Sequence, residues 1–288
     1  GVIVPWTVYT FYNDTRIIAK HYASMVRWIE YIREGNPDLI WAQRSGNNYG
    51  DWLSINANTP STVLSTAYFA YSTRLLAKMA RVLGKTDDAE KYDKLFQDIR
   101  SAFQAKFLAS DGMIQGNTQT CYLVALHFDL LPENLRKIAA ERLAKDVLSK
   151  GTHLSTGFVG VGYLNPVLTH EGYSDLAYKL LLNDTFPSWG YSIKQGATTI
   201  WERWDGWTTD KGFQDPGMNS FNHYSLGSVG EWLYASVAGI DIDPTRPAFK
   251  HIVMKPHLGG GFTFAKASHD SLYGKIASHW KLENGRFL

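Results

Sequence analysis

Cysteine is nearly absent. The 288 residues hold one, Cys121, so no disulfide can close within the chain. A charge excess of either sign is also missing: 29 Lys and Arg stand against 27 Asp and Glu. Nucleic-acid binders show a basic stripe, and none is present. Polar residues break every apolar run well short of the ~18 residues a membrane span requires. There is no HExxH and no paired His/Cys spacing, so no metal is expected. There is no G-x-S-x-G and no phosphate loop, and the run Gly157-Phe158-Val159-Gly160-Val161-Gly162 is not followed by strand–helix alternation, so no nucleotide cofactor is expected either. No signal or transit pattern opens the chain, which begins at Gly1, and the compartment stays open. Both ends read as cut, and a piece of a longer polypeptide is expected.

Aromatic side chains are abundant, at 14% of the residues with ten Trp. Indole faces are large, stiff apolar platforms that suit flat apolar faces such as those of sugar rings. Hydrophobic residues at 44% and charged residues at 19% describe a globular chain with enough length to bury a substantial core.

The apolar spacing predicts about nine helices. Ile17, Ile18, Tyr22, Met25, Val26, Ile29 and Ile32 mark one over 15–33. Another runs from Thr62 to Leu83 with Gly84 just beyond its end, and Thr86 is placed to cap the next. A helix spans 118–130, and Pro132 stands as the first-turn proline of one that stops near Gly151. Segments 2–12, 158–168, 173–182 and 223–237 complete the set. Long loops, 34–60 and 184–222, carry Trp41, Trp52, Trp189, Trp201, Trp204 and Trp207. Helical hairpins with functional loops on one side point to an α/α toroid; no fixed-period repeat supports a solenoid. After Gly239 the pattern changes: Pro244, Pro247 and Pro256 break helices, and 252–254, 262–267 and 276–280 read as short strands around a Gly259-Gly260-Gly261 turn. The division expected is a helical domain over 1–243 and an incomplete antiparallel β module over 244–288.

Four segments could carry chemistry. In Trp201-Glu202-Arg203-Trp204-Asp205-Gly206-Trp207, three indoles surround two carboxylates and a guanidinium. The segment is either a packed Trp cluster with a Glu–Arg ion pair on its rim or an aromatic wall holding a glycosidase carboxylate. In Asn219-Ser220-Phe221-Asn222-His223-Tyr224, a helix should start at His223 with Asn222 or Ser220 as its cap. Tyr49-Gly50-Asp51-Trp52 is an ordinary turn or a presentation of Asp51 and Trp52 together. Val4-Pro5-Trp6 is a core Trp at a helix start or part of a pocket. Cys121 lies in a helical stripe and reads as a small buried apolar residue.

Taken in order, these segments with Thr66-Ala67-Tyr68-Phe69-Ala70, His153-Leu154-Ser155-Thr156-Gly157-Phe158, Thr198-Thr199-Ile200 and Asn222 to Val229 resemble the bacterial α-L-rhamnosidases of glycoside hydrolase family 78 over essentially the whole chain. The resemblance implies a mainly α fold, an (α/α)6 toroid lacking its first helices, followed by the opening of a C-terminal β-sandwich. It implies inverting hydrolysis of terminal α-L-rhamnose from small carbohydrate substrates, with Glu202 as general base and His223 contacting the sugar. Trp6 and Trp52 would line the sugar pocket, with Asp51, Trp201, Arg203 and Trp204 beside them. The family's general acid lies in an upstream acidic segment that this sequence does not contain. On this reading Trp6, Trp52 and His223 should converge on the Glu202 cavity. A carbohydrate-binding toroid without chemistry, or another (α/α)6 glycosidase, are the competing readings.

Overall fold

The computed structural model describes all 288 residues. Helices α1 (Ile3–Tyr12), α2 (Thr15–Gly35), α3 (Ser61–Val82), α4 (Thr86–Phe107), α5 (Gln119–His127), α6 (Glu133–Ser149), α7 (Phe158–His170) and α8 (Ser174–Leu182) come first in chain order. Their burial sorts them into two rings. In α3, α5 and α7 most residues are buried on every side, and eight of the nine residues of α5 are buried. In α2 only Ile18, Tyr22, Met25, Ile29 and Ile32 are buried, a single stripe at spacings of three and four. α4 and α6 likewise bury one stripe each. A helix buried all round sits between neighbours, and one with a single apolar stripe faces water, so α3, α5 and α7 form an inner ring and α2, α4 and α6 an outer one. This is the mainly helical toroid expected.

Local chemistry sets the ends. Asp14 caps α2 by accepting the Arg16 N–H. α3 stops in a glycine-terminated cap: Gly84, at φ +69°, donates to the Arg81 carbonyl, and the Lys85 N–H reaches the Ala80 carbonyl. Two expected caps fall one residue away. Thr86 is the first residue inside α4, with Lys85 at the cap and no side-chain bond there. Pro132 is the cap of α6 rather than its first-turn residue; its ψ of 148° is extended, and the helix begins at Glu133.

The segment 184–222 is not all loop. It contains α9 (Trp189–Lys194), capped by the Ser188 hydroxyl, and the two-residue strands β1 (Trp207–Thr208) and β2 (Gly212–Phe213). The last inner helix begins later than His223: a 3-10 turn over Ser225–Ser228 leads into α-helix at Val229–Trp232 and a π turn at Leu233–Val237. Strands start at Ile240, ahead of the prolines. β3 (Ile240–Ile242) pairs antiparallel with β4 (Ile252–Met254). Gly239 lets the chain pass from the last helix into β3 close against the segment after β4: its φ is +77°, and a Cβ there would lie 2.3 Å from the Pro256 nitrogen. β5 (Phe264–Ser271), β6 (Gly274–Glu283) and β7 (Arg286–Phe287) form a three-stranded antiparallel sheet. β6 docks on the end of the last helix, where the Trp280 indole N–H donates to the Val237 carbonyl at 2.8 Å and the Ser278 hydroxyl to the Ala238 carbonyl at 2.6 Å. No helix is long and apolar enough to cross a membrane.

Candidate active site

The loop bearing Glu202 and the segment bearing His223 are zipped together through the backbone. Glu202 N–H donates to the Ser220 carbonyl at 2.8 Å, and His223 N–H to the Ile200 carbonyl at 2.8 Å. The Ser220 N–H returns a bond to Glu202 Oε2 at 2.8 Å. One carboxylate oxygen is thereby pinned, and the side chain is held half-buried on a cavity of about 150 Å3. Leu53, Thr156, Phe158, Phe186, Arg203, Trp204, Asp205 and Leu226 share that cavity.

Arg203 pairs with Asp205, Nε to Oδ1 at 3.3 Å, and not with Glu202. The guanidinium is therefore engaged beside the carboxylate at 202. Trp201 and Trp204 are both buried, edge-on to Phe221 and Trp189 respectively. The Trp189 indole N–H bonds the Leu226 carbonyl at 2.8 Å, which locks the cluster to the start of the last helix. The indoles of this segment are packed, but the ion pair on its rim is Arg203–Asp205 and not the Glu–Arg pair expected; Trp204 also borders the Glu202 cavity.

His223 lies flat on Phe158, ring centroids 4.8 Å apart and planes 26° from parallel. Phe158 is the first residue of α7 and borders the Glu202 cavity, so the stack brings His223 alongside it. His223 Nδ1 accepts the Ser225 N–H at 3.3 Å, which assigns the ring proton to Nε2. The imidazole keeps a donor at Nε2 while its other nitrogen accepts at the start of the helical turn, a capping duty expected of Asn222 or Ser220.

Asp51 does something other than face a sugar. Its Oδ2 accepts from the Thr120 hydroxyl at 2.5 Å and Gly157 N–H at 2.8 Å; its Oδ1 accepts from Val159 N–H at 2.9 Å and Gly160 N–H at 3.1 Å. The carboxylate thus satisfies the free N–H groups that open α7, and both oxygens are fully used. Burial pushes its pKa up, while Thr120 and the three backbone donors pull it down. The following residue, Trp52, is exposed, edge-on to Tyr49, and its carbonyl accepts the Phe158 N–H at 2.9 Å. Gly157 permits this closeness: a Cβ there would sit 2.2 Å from the Trp52 carbonyl oxygen. Trp52 is therefore tied by its backbone to the residue on which His223 stacks.

Trp6 lies elsewhere. It is in α1 and lines a second cavity of about 660 Å3 with Tyr71, His127, Tyr163, Glu231 and Tyr234. Of the three residues expected to converge on the Glu202 cavity, none lines it: Trp52 and His223 are each joined to Phe158, which does, and Trp6 lines a different cavity. The reason is positional. The Glu202 cavity sits where α7 and the last helix begin, whereas Trp6 faces His127, the final residue of α5. In this second cavity burial and the nearby Asp241 push the Glu231 carboxyl up. Thr156 and Phe158 border the Glu202 cavity without having been singled out from residue chemistry; the only signal was their place in the His153–Phe158 segment.

A two-ring helical toroid with a pinned carboxylate among indoles at one mouth defines a glycosidase-type domain. Comparison narrows the class. Residues 1–237 match the model of the bacterial alpha-L-rhamnosidase 6 hairpin glycosidase domain, and 239–288 match that of the bacterial alpha-L-rhamnosidase C-terminal domain. The chain belongs to the bacterial α-L-rhamnosidase family. It is 47% identical over 288 residues to an alpha-L-rhamnosidase of Streptomyces avermitilis, covering all of this chain and 27% of that protein. It is 39% identical to an alpha-L-rhamnosidase of Formosa agariphila, covering 98% of this chain and 31% of that one. The crystal structure of the Streptomyces avermitilis enzyme complexed with L-rhamnose superposes with a TM-score of 0.93, covering 99% of this chain and 27% of that chain. That of the Aspergillus terreus enzyme gives 0.91 at 31% identity, covering 99% and 34%. The chain thus spans about a third or less of the length of these relatives.

Proposed function

We propose that this chain carries the base half of an inverting α-L-rhamnosidase site, acting on terminal α-L-rhamnosyl groups of small glycosides. The observation that carries the proposal is the Glu202 carboxylate, with Oε2 pinned by the Ser220 N–H and the side chain bordering a small cavity at the toroid mouth. Inversion requires a base that takes a proton from the attacking water and an acid that protonates the leaving oxygen, roughly 6.5–9.5 Å apart. Glu202 supplies the first. A fixed carboxylate oxygen holds the other at a defined angle to the water, so the proton moves without prior reorganisation.

Among the carboxylates near the site, Asp51 has both oxygens bonded to the fold and Asp205 is paired with Arg203. Neither is placed to act as the acid, which supports a supply from sequence outside these residues, as the family resemblance implies. Sugar recognition falls to the Nε2–H of His223 and the exposed face of Trp52. The Streptomyces avermitilis relative, whose structure is described as complexed with L-rhamnose, supports the same sugar here.

The test is hydrolysis of an aryl α-L-rhamnoside by this chain expressed with its natural flanking sequence. Glu202→Gln should lower kcat by at least about a hundredfold, the low end for loss of an acid–base group. A near-native kcat would assign the base elsewhere. Rhamnose binding with no hydrolysis by the unaltered polypeptide would favour the binding-only toroid.

A further inference from the structure

The turn that carries Trp52 divides two cavities. Leu53 borders the Glu202 cavity, whereas Tyr49 and Gly50 border another of about 420 Å3. The start of α7 makes the same division: Phe158 lines the first cavity and Val159 the second. The second lies within the ~300–1,000 Å3 of small-molecule sites, which the Glu202 cavity does not reach. Its wall is aromatic and uncharged. Trp28, Trp41, Tyr49 and Tyr68 supply rings, Asn47 and Asn48 supply amides, and no charged side chain lines it.

These rings are held towards solvent by a loop fixed in place. Trp28 is 40% exposed and Tyr49 69%. Trp28 meets Trp41 edge-on at 5.8 Å, and Tyr49 meets Trp52 in the same way at 5.8 Å. Asn36 Oδ1 accepts the Ala42 and Gln43 N–H groups at 2.9 and 2.8 Å, and the Trp41 N–H donates to Thr66 Oγ1 at 3.0 Å. The Asn48 amide donates to Ser65 Oγ at 3.1 Å and accepts the Gly50 N–H at 2.9 Å. Asn48 is thus occupied by the fold, and the exposed Asn47 is the amide available to a ligand. Apolar rings kept exposed on a pinned loop are a binding surface whose ordering cost is met before the ligand arrives.

We infer that this second cavity takes the leaving group of the hydrolysis, and that the leaving group is a neutral sugar. Inversion places the attacking water and the leaving group on opposite faces of the anomeric carbon. With the terminal rhamnose over Trp52 and the water at Glu202, the departing group lies on the Tyr49 side of the turn. A pyranose offers C–H groups to the electron-rich faces of Tyr49 and Trp28 and hydroxyls to the Asn47 amide. An acidic sugar would find no side-chain cation there. Placement opposite the water rests on Glu202 being the base.

The experiment uses the polypeptide with its natural flanks and two substrates: a neutral α-L-rhamnosyl-hexose disaccharide, and methyl α-L-rhamnoside, whose leaving group carries no sugar. On the disaccharide, Trp28→Ala should lower kcat/KM about tenfold, the worth of one stacked ring, and Asn47→Ala about fivefold, the worth of one hydrogen bond. On methyl rhamnoside both variants should stay within about twofold of the natural enzyme, and inhibition by free rhamnose should be as little changed. Undiminished disaccharide hydrolysis in both variants would overturn the inference, and so would equal losses on the two substrates. An aryl α-L-rhamnoside separates a sugar from an aromatic leaving group: if Trp28→Ala slows it while Asn47→Ala leaves the disaccharide untouched, the cavity is an aryl site and the sugar assignment is overturned. A near-native Glu202→Gln would unseat the base, whereas the contrast between disaccharide and methyl rhamnoside decides the leaving-group site by itself. Should Trp28→Ala not fold, Asn47→Ala, at an exposed loop position, decides by the same contrast.

Discussion

Glu202 and Ser220 hold each other by two reciprocal hydrogen bonds, each 2.8 Å long: the Glu202 N–H to the Ser220 carbonyl, and the Ser220 N–H to the Glu202 carboxylate. The second depends on the backbone of Ser220 and not on its side chain. Ser220→Pro, which has no N–H, should free the carboxylate and lower kcat by more than about tenfold; Ser220→Ala keeps the donor and should cost less than about threefold. Steady-state kinetics on an aryl rhamnoside check the contrast, and equal effects of the two substitutions would count against the pinned geometry.

His223→Phe separates packing from hydrogen bonding. The ring can keep its stack on Phe158, but the Nε2–H and the Nδ1 acceptor of the Ser225 N–H are lost. KM for a rhamnoside should rise on the order of tenfold, the cost of one sugar hydrogen bond. Rhamnose affinity by calorimetry provides the independent check.

Asp51→Asn exchanges an acceptor-only group for one with an NH2. Turned one way, the NH2 meets the Val159 and Gly160 N–H groups; turned the other, it meets the Gly157 N–H and the Thr120 hydroxyl, which can rotate to accept, so at least one N–H donor is opposed either way. Stability should fall by about 1–3 kcal/mol in urea denaturation. Trp52, carried on the same turn, should report the change in its fluorescence.

His127 gives a pH dependence with a defined sign. Desolvation in the cavity, with His170, Arg136 and Arg74 nearby, lowers its imidazole from 6.5 to about 4. In the fold it stays neutral where the unfolded chain is already protonated. Its contribution to stability is therefore complete above pH 6.5 and is lost as the pH falls towards 4. His127→Gln should lose less stability between pH 7 and pH 4.5 than the natural chain does, measured by denaturant titration at both pH values. Parallel losses would contradict the shift.

The sequence made the helices legible wherever one stripe or one glycine decides them, as in the Ile18–Ile32 face of α2 and the Gly84 cap of α3. It erred by a residue at Thr86 and Pro132, where capping is a matter of one dihedral angle. The short α9 and the β1–β2 pair were invisible because two- to six-residue elements carry too few apolar positions to show a period. At the site, Glu202 and His223 stood out through their aromatic company. The work of Asp51 did not, because its partners lie 69 to 109 positions away and contribute mostly backbone N–H groups, which no side-chain pattern marks. Distance also hid the placement of Trp6, whereas Arg203 chose Asp205, two positions away, over its neighbour Glu202: residue type suggests a partner, but only the packed backbone selects one.

The bonds from Trp280 and Ser278 to the carbonyls of Val237 and Ala238 have a consequence for engineering. A helix end normally finds its last acceptors satisfied by a cap or by water, but here two of them are satisfied by strand β6, forty residues further on. The seam between 237 and 239, where the two family models meet, is thus a border in ancestry and not in cohesion. A chimera joining this toroid to an unrelated β module there would inherit two bare carbonyls, and the graft would have to bring its own indole and hydroxyl to the same two points.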